Sequence, residues 1–329
     1  MFKIGLDIGY GHTKVVAEDG KRFIFPSIAK KGDSIDLDNL LGAREDYIAR
    51  INNTTWYVGE MARKESTFAT RAFEQADRYN DEAFQAMLST GLALASQGAD
   101  QDIMLVTGLP LSLYENSQKE FTAFLKGFSA HIEMDNICKE IKVKDAVVFP
   151  QAGGIFFSPA CMEIKSSLPD NSIVTVIDIG YRTTDCAAFS YSKGTFQFLI
   201  EQSFTLDMGM SKVFRMLSKT IAKKIGAIDI SLEESEVVFN NGYCYKNNQP
   251  ISMTADIDKL KSSIAVNIAE GYHAASGHNS KINNVILAGG GSIALKDELL
   301  KVFPEALTVV DTQMANALGF LSIAHRFDI

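Results

Sequence analysis

Cysteine is scarce and scattered. Cys138, Cys161, Cys186 and Cys244 are the four in 329 residues, and no Cys-x-x-Cys pair occurs. Neither a disulfide scaffold nor a redox or zinc motif is written here, so reduced structural thiols in a cytosol are the expectation. Histidine is equally thin. His12, His131, His273, His278 and His325 show no metal-ligand spacing, which speaks against a protein-built metal cage. No apolar run is long enough to span a bilayer, and Asp7 and Gly9 interrupt the opening apolar stretch too early for a signal peptide. Positive charge is in deficit, 32 Lys and Arg against 40 Asp and Glu for a net charge of −8. That balance argues against non-specific binding to nucleic acid or to an anionic membrane. No low-complexity tail or linker appears, and a cytoplasmic protein is expected.

What is present is ordinary in bulk and unusual in two places. Apolar residues make up 46% and charged residues 22%, the balance of a globular chain long enough for two domains and two cores. The first unusual stretch is Ile4-Gly5-Leu6-Asp7-Ile8-Gly9-Tyr10-Gly11-His12-Thr13-Lys14-Val15-Val16. Apolar arms flank one carboxylate, two glycines, a hydroxyl and a lysine, which reads as a β-hairpin whose turn wraps a phosphate. Glycines let backbone N–H groups approach the anion, and Lys14 supplies a compact positive charge. Asp7 ends the first strand, where a carboxylate can hold a hydrated Mg²⁺. The second stretch repeats the design: Val174-Thr175-Val176-Ile177-Asp178-Ile179-Gly180-Tyr181-Arg182-Thr183-Thr184-Asp185-Cys186-Ala187. Both read strand, Asp-Ile-Gly-Tyr, polar turn with Thr, strand. Two related halves are expected, each offering a phosphate hairpin to one shared cleft.

Along the chain, 21–26 reads as a third short strand and 32–39 as a polar exit from the sheet. Residues 47–51 and 55–58 alternate around Asn52-Asn53, a small hairpin. The pattern predicts an amphipathic helix over 80–96, a buried strand over 103–107, a helix over 114–128 and an extended segment over 141–149. Pro150 suits the first turn of a helix running towards Cys161 and connecting the halves. Residues 168–171 form a turn, and 196–203 the third strand of the second hairpin. Helices are expected over 212–225, 231–239 and 256–275, the second with its acidic residues early, as the helix dipole favours. Residues 284–288 are a buried strand that runs into Gly289-Gly290-Gly291-Ser292 and then a helix through Lys301. Glycines following a buried strand let a nucleotide approach the backbone. A last helix is expected over 313–325. Met208-Gly209-Met210 reads as core and helix start.

Four features recur in order: the Asp7 turn, Gln151 at a helix start, the Asp178 turn, and the glycine run at Gly289–Gly291. This order resembles the actin/Hsp70/sugar-kinase superfamily, and within it the ParM-type and archaeal actin-like ATPases. Arg22-Phe23-Ile24-Phe25-Pro26-Ser27, Gly108-Leu109-Pro110 and Ala315-Asn316-Ala317-Leu318-Gly319 support the resemblance, which covers essentially the whole chain. Tyr181 and Arg182 depart from it, standing where many relatives carry glycines. The resemblance implies an α/β, actin-like fold: two related ribonuclease-H-like domains around a nucleotide cleft, each with a small inserted subdomain. Domain I would span 1–150, with its insert at about 31–80 and the C-terminal helix 312–329 closing it. Domain II would span 151–311, with its insert at about 206–280.

The implied activity is hydrolysis of ATP with Mg²⁺, coupled to assembly and disassembly of a filament. Gln151 and Asp178 would be catalytic, with Gln151 orienting the attacking water; a glutamine cannot itself serve as a general base. Asp7 and Asp178 would hold Mg²⁺ through its waters. Gly9, Tyr10, Gly11, His12, Thr13, Lys14, Gly180, Tyr181, Arg182 and Thr183 would surround the phosphates, and Gly289, Gly290, Gly291 and Ser292 the adenosine. The partners implied are further copies of the chain and a DNA-binding adaptor for plasmid or other DNA segregation, with no direct nucleic-acid or membrane contact. A small-molecule kinase on the same superfold, or an ATP-holding regulator that does not polymerise, is the alternative, because fold does not fix function.

Overall fold

The computed structural model describes residues 1–32, 46–64, 78–98, 100–166, 168–276 and 283–327. Most of the polar exit expected at 32–39 lies outside the described residues. Two compact units divide the chain: Met1–Ser166 with Gln313–Ile329, and Ser167–Thr312. Residues 151–166 therefore stay with the first unit, whereas a boundary at 150 was expected.

The first unit is built on a sheet of nine strands: β1 (Phe2–Ile8), β2 (His12–Ala17), β3 (Arg22–Pro26), β4 (Ala29–Lys31), β5 (Asp46–Ile51) and β6 (Thr54–Gly59), then helices α1 (Glu60–Lys64) and α2 (Glu82–Ala95), then β7 (Asp100–Leu109), α3 (Leu111–Lys126), β8 (Ser129–Met134), β9 (Ile137–Pro150) and α4 (Pro159–Lys165). The strand order is β3-β2-β1-β7-β9-β8-β5-β6-β4. β1 runs antiparallel to β2 and parallel to β7, which itself is parallel to β9. Asn52 and Asn53 turn between β5 and β6 with φ of 47° and 68°, the left-handed pair that a two-residue hairpin requires. The region expected as an insert is thus strand-paired into the main sheet through β5 and β8. Helix α2 starts at Asp81, whose carboxylate accepts the Ala83 and Phe84 N–H groups, a side-chain cap. It is buried nearly all round, including Phe84, Met87, Leu88 and Leu92, so it is a core helix rather than an amphipathic one.

The second unit holds β10 (Ser172–Ile179), β11 (Thr184–Ser192), β12 (Thr195–Phe198), β13 (Phe204–Leu206), α5 (Met210–Ile225), α6 (Leu232–Asn241), β14 (Tyr243–Lys246), β15 (Gln249–Ser252), α7 (Thr254–Ser276), β16 (Asn283–Ala288), α8 (Gly290–Ala294), α9 (Lys296–Val302) and β17 (Leu307–Thr308). Its main sheet runs β12-β11-β10-β16-β17, with β13 also on β11. The third strand expected at 196–203 stops at Phe198 and gives way to a 3-10 turn at Ile200–Gln202 before β13. The helix expected to run through Lys301 breaks at Leu295 into α8 and α9. Ser231 caps α6 in a reciprocal box with Glu234.

The helix expected to begin at Pro150 does not form. Strand β9 extends through Pro150, and Ala152 then takes φ of 66°, a left-handed conformation that an α-helix cannot include. A 3-10 turn at Ile155–Phe157 follows. The helix itself waits for Ser158, whose Oγ accepts the Cys161 N–H, and for Pro159 at its first position. Helix α10 (Ala315–Ala324) closes this unit against that turn and against β1. A Cβ on Gly319 would stand 1.7 Å from the Gly154 carbonyl oxygen, and one on Gly5 would stand 2.2 Å from the Ala317 oxygen. Backbone meets backbone at both points.

Gly319→Ala is accordingly expected to destabilise the first unit by about 1–3 kcal/mol or more, the scale of overpacking in a filled core. Gly98→Ala, whose added methyl would meet nothing within 4 Å, is the control. Denaturant unfolding followed by circular dichroism checks this; equal midpoints for the two variants would show that α10 can slide to make room.

Candidate nucleotide site

The two hairpins match residue for residue. In the first, Asp7 stands opposite Lys14 and Ile8 opposite Thr13; in the second, Asp178 stands opposite Asp185 and Ile179 opposite Thr184. The same backbone bond closes each turn, Gly9 N–H to the His12 oxygen at 3.2 Å and Gly180 N–H to the Thr183 oxygen at 2.9 Å. The pairing makes Gly11 the counterpart of Arg182 and Lys14 the counterpart of Asp185. One hairpin thus sets an acid against a base where the other sets two acids side by side.

In the first unit Asp7 is only 2% exposed, and a buried carboxylate needs donors to replace its lost water. It has two. Lys14 Nζ lies 3.0 Å from Oδ2, and Gln151 Nε2 donates to Oδ1 at 3.0 Å. Because an ionised carboxylate only accepts, the Gln151 amide must present its NH₂ side, and its Oε1 remains available as an acceptor. Gln151 sits in the turn after β9, pinned by its own N–H to the Leu109 oxygen at 2.7 Å. Thr13 is fully buried and its Oγ1 pairs with Ser27 Oγ at 3.0 Å, while Ser27 N–H donates to the Gly11 oxygen. Thr13 therefore braces the hairpin from within. Tyr10 packs on the core of this unit. Its partner in the pattern, Tyr181, does the same in the other, with ring centroids 6.1 Å from Phe214 of α5. Both tyrosines anchor the turns by their rings, and Gly9–His12 and Gly180–Thr183 are all half-exposed.

In the second unit Asp178 is half-buried and Asp185 buried. Asp185 Oδ1 accepts Thr205 Oγ1 at 2.5 Å, and Oδ2 meets Thr183 Oγ1 at 3.5 Å. Burial first, and then the Asp185 and Asp178 carboxylates, push the Cys186 thiol well above its ordinary range, so it stays neutral. The glycine run divides its labour. A Cβ on Gly289, at φ of 83°, would stand 2.1 Å from Asp178 Oδ1, and one on Gly291 would stand 2.4 Å from Ile179 Cγ2. These two let the chain pass close over β10. A Cβ on Gly290 would meet nothing within 4 Å, so this glycine borders open space. Ser292 turns its hydroxyl back to the Gly289 oxygen at 2.7 Å, where Thr312 Oγ1 also donates at 3.1 Å.

One clamp carries no signal of function in the sequence. The carbonyls of Gly180 and Tyr181 accept the Met210 and Ser211 N–H groups at 3.1 and 2.7 Å, so the hairpin tip satisfies the open first turn of α5. A Cβ on Gly209 would lie 2.6 Å from the Arg182 carbonyl carbon and 2.7 Å from the Tyr181 oxygen. The residues needed were visible in Met208-Gly209-Met210, but their role depends on a close approach that local pattern does not encode.

Among the described residues no group of three or more His, Cys, Asp and Glu forms a metal cluster, and no helix is long and apolar enough to cross a membrane. The donor set suits a different group. In the first unit the Asp7 carboxylate, the Lys14 ammonium and a glycine-bearing turn, and in the second the Asp178 carboxylate, its turn and the open side of Gly290, are each of a chemistry that fits hydrated magnesium and a phosphate-bearing ligand.

Residues 5–154 match the family model for the N-terminal domain of actin-like proteins, and 176–301 the model for the C-terminal part of the archaeal, MreB-like actin homologue. An archaeal actin homolog of Thermoplasma acidophilum is 25% identical over 348 residues, covering 99% of each chain. One of Thermoplasma volcanium is 24% identical over 336 residues, again with 99% of each covered. Among solved structures, a subunit of a 15-stranded ParM filament from Clostridium botulinum matches with a TM-score of 0.88 at 26% identity and 99% coverage of both chains. An archaeal actin homolog in complex with ADP matches with a TM-score of 0.80 at 22% identity, over 99% of this chain and all of the other.

Two substitutions probe the hairpins. Lys14→Met leaves Asp7 with one donor and is expected to cost somewhat under the ~3–5 kcal/mol of a broken buried pair, because Lys14 keeps some contact with water. Adding Asp7→Asn should recover part of that loss in a denaturant titration; additive losses would mean the pair contributes nothing jointly. Gly209→Ala is expected to loosen the second hairpin from α5, seen as faster amide exchange at Met210 and Ser211. Unchanged exchange at those two amides would show that the clamp tolerates a methyl group.

Proposed function

The chain belongs to the actin-like proteins, with an MreB-like archaeal C-terminal half, and from that premise we propose that it binds Mg-ATP, assembles into filaments in that form and hydrolyses the nucleotide to come apart. The observation that carries the reading is the duplicated hairpin: the same aspartate, the same turn closure and the same anchoring tyrosine in both units. Turn amides at Tyr10 and Gly11 and at Tyr181–Thr183 bind phosphate oxygens, while the Gly9 and Gly180 amides close the turns, and Lys14 lends positive charge. Asp7 and Asp178 hold magnesium through its waters; when bound, the ion neutralises charge on the phosphates. Gln151, fixed through its nitrogen on Asp7, offers Oε1 to orient the attacking water in line. It accepts no proton, so positioning and electrostatics supply the rate. The filament formed by the clostridial relative and the ADP held by an archaeal one support this assignment. In a cytoplasm, DNA segregation through an adaptor is the use the resemblance favours, since a chain of net charge −8 has no general affinity for DNA itself.

Mg-ATP, and not Mg-ADP, is expected to make the purified chain sediment and scatter light. Flat scattering combined with faster ATP loss on addition of sugars or small acids would replace this reading with a kinase. Gln151→Ala is expected to bind and assemble while phosphate release drops by about a hundredfold or more, so its filaments outlast the wild type's after one limited dose of ATP. Phosphate release on the wild-type schedule would remove Gln151 from the reaction.

A further inference from the structure

Helix α5 is a local inversion of the chain's charge. It holds five of the 32 lysines and arginines, Lys212, Arg215, Lys219, Lys223 and Lys224, and no acid. Its apolar face, with Met210, Val213, Phe214, Leu217 and Ile221, is buried in its own unit. Spacings of three and four residues place Lys212, Arg215, Lys219 and Lys223 along the opposite face, all exposed, with Met216 at 47% exposure among them. Lys212 approaches Asp207 at 3.8 Å, and Lys224 meets Asp256 at 2.5 Å. Among the described residues, Arg215, Lys219 and Lys223 make no ion pair.

Such a stripe is unfavourable in isolation. Arg215, Lys219 and Lys223 form consecutive like-charge pairs at four-residue spacing, which disfavour the helix. Lys212 also sits in its first turn, where the helix dipole disfavours a cation, although Lys223 and Lys224 in the last turn are favoured by it. A surface that opposes its own helix is explained by something acidic laid against it. The rest of the chain is more acidic than its net −8, and Glu18, Asp102 and Glu115 are exposed carboxylates of the first unit that make no ion pair among the described residues. We propose that the basic face of α5 docks on exposed carboxylates of a second copy of this chain and is an assembly contact. The contact joins two different surfaces, so it is heterologous and leaves both ends open for further copies. Nucleic acid or an anionic membrane is a poorer partner, since both would meet the field of the whole acidic chain, and an exposed methionine amid the charges suits a protein surface. The clamp between the second hairpin and the first turn of α5 ties this face to the proposed phosphate loop.

The proposal rests on the assembly reading above, and the test separates the two. The full chain is compared with Lys219→Glu/Lys223→Glu and with the milder Lys219→Gln/Lys223→Gln by sedimentation in Mg-ATP, with nucleotide binding and thermal unfolding measured in parallel. The reversal is expected to raise the threshold concentration for assembly by about tenfold or more, with the neutral variant intermediate and both folded and nucleotide-bound as the wild type. Wild-type assembly should weaken as salt rises from about 0.1 to 1 M, where the screening length falls from about 10 to 3 Å. Equal thresholds for all three chains overturn the contact and leave the assembly reading standing. Wild-type failure to assemble with any nucleotide overturns both. Capture of duplex DNA or phosphatidylserine vesicles by wild type, lost in the reversal, overturns the choice of partner.

Discussion

A carboxylate stripped of water at the end of a buried strand needs fixed donors in place of the solvent it lost. Asp7 sits in that position, and its two oxygens are taken by an ammonium from the neighbouring strand and an amide from a turn far along the chain. The arrangement explains several features at once. Lys14 must face Asp7 across β1 and β2, which fixes the register of that hairpin. The turn after β9 must bring Gln151 back towards β1, which is why a left-handed Ala152 and two glycines follow Pro150 instead of a helix. Thr13 and Ser27 bond to each other inside the same hairpin and keep its tip from rotating away. The second unit lacks this neutral pairing. There Asp185 replaces the lysine, and it is Asp185 itself that accepts from the hydroxyls of Thr205 and Thr183.

Duplication with divergence is the clearest pattern in the molecule. The hairpins share closure, anchoring tyrosine and buried threonine, but each threonine bonds to a different support: Thr13 to the Ser27 hydroxyl and Thr184 to the Met208 carbonyl. The second tip is additionally plugged into the first turn of α5. A shift of that tip would break two backbone hydrogen bonds or carry the helix with it. This is the kind of discrete alternative on which a packed helix can switch, since interfaces are bistable rather than continuously deformable.

Much of this was legible in the residues and some was not. Both hairpins and the aspartates in them stand out because apolar strand runs end in the same polar, glycine-bearing tetrad. Most helices were legible from periodicity to within a few residues. The Asp7–Gln151 bond was not, because its partners are 144 residues apart and no local rule links them. The misplaced helix at Pro150 has a plainer cause: Ser158-Pro159 is the stronger start signal, a cap and a first-turn proline together, and it lies eight residues further on. Glycines were the hardest to read. Gly289 and Gly291 are small because β10 passes beneath them and Gly209 because Arg182 does, whereas Gly290, within the same run, opens outward. Composition cannot distinguish a glycine needed by a ligand from one needed by a neighbouring strand.

The seat of α10 has a bearing on how the chain comes into being. Gly5 and Gly319 allow the last helix to lie directly on the first strand and on the turn after β9, so the first unit is completed by residues made after the whole of Ser167–Thr312. On the ribosome, the second unit has all its strands available while the first still lacks the helix that covers Val106 and Met104. Until α10 is made, a nascent chain therefore carries a first unit with an open apolar seat, and the Asp7 hairpin gains its full backing only once that helix has followed the second unit.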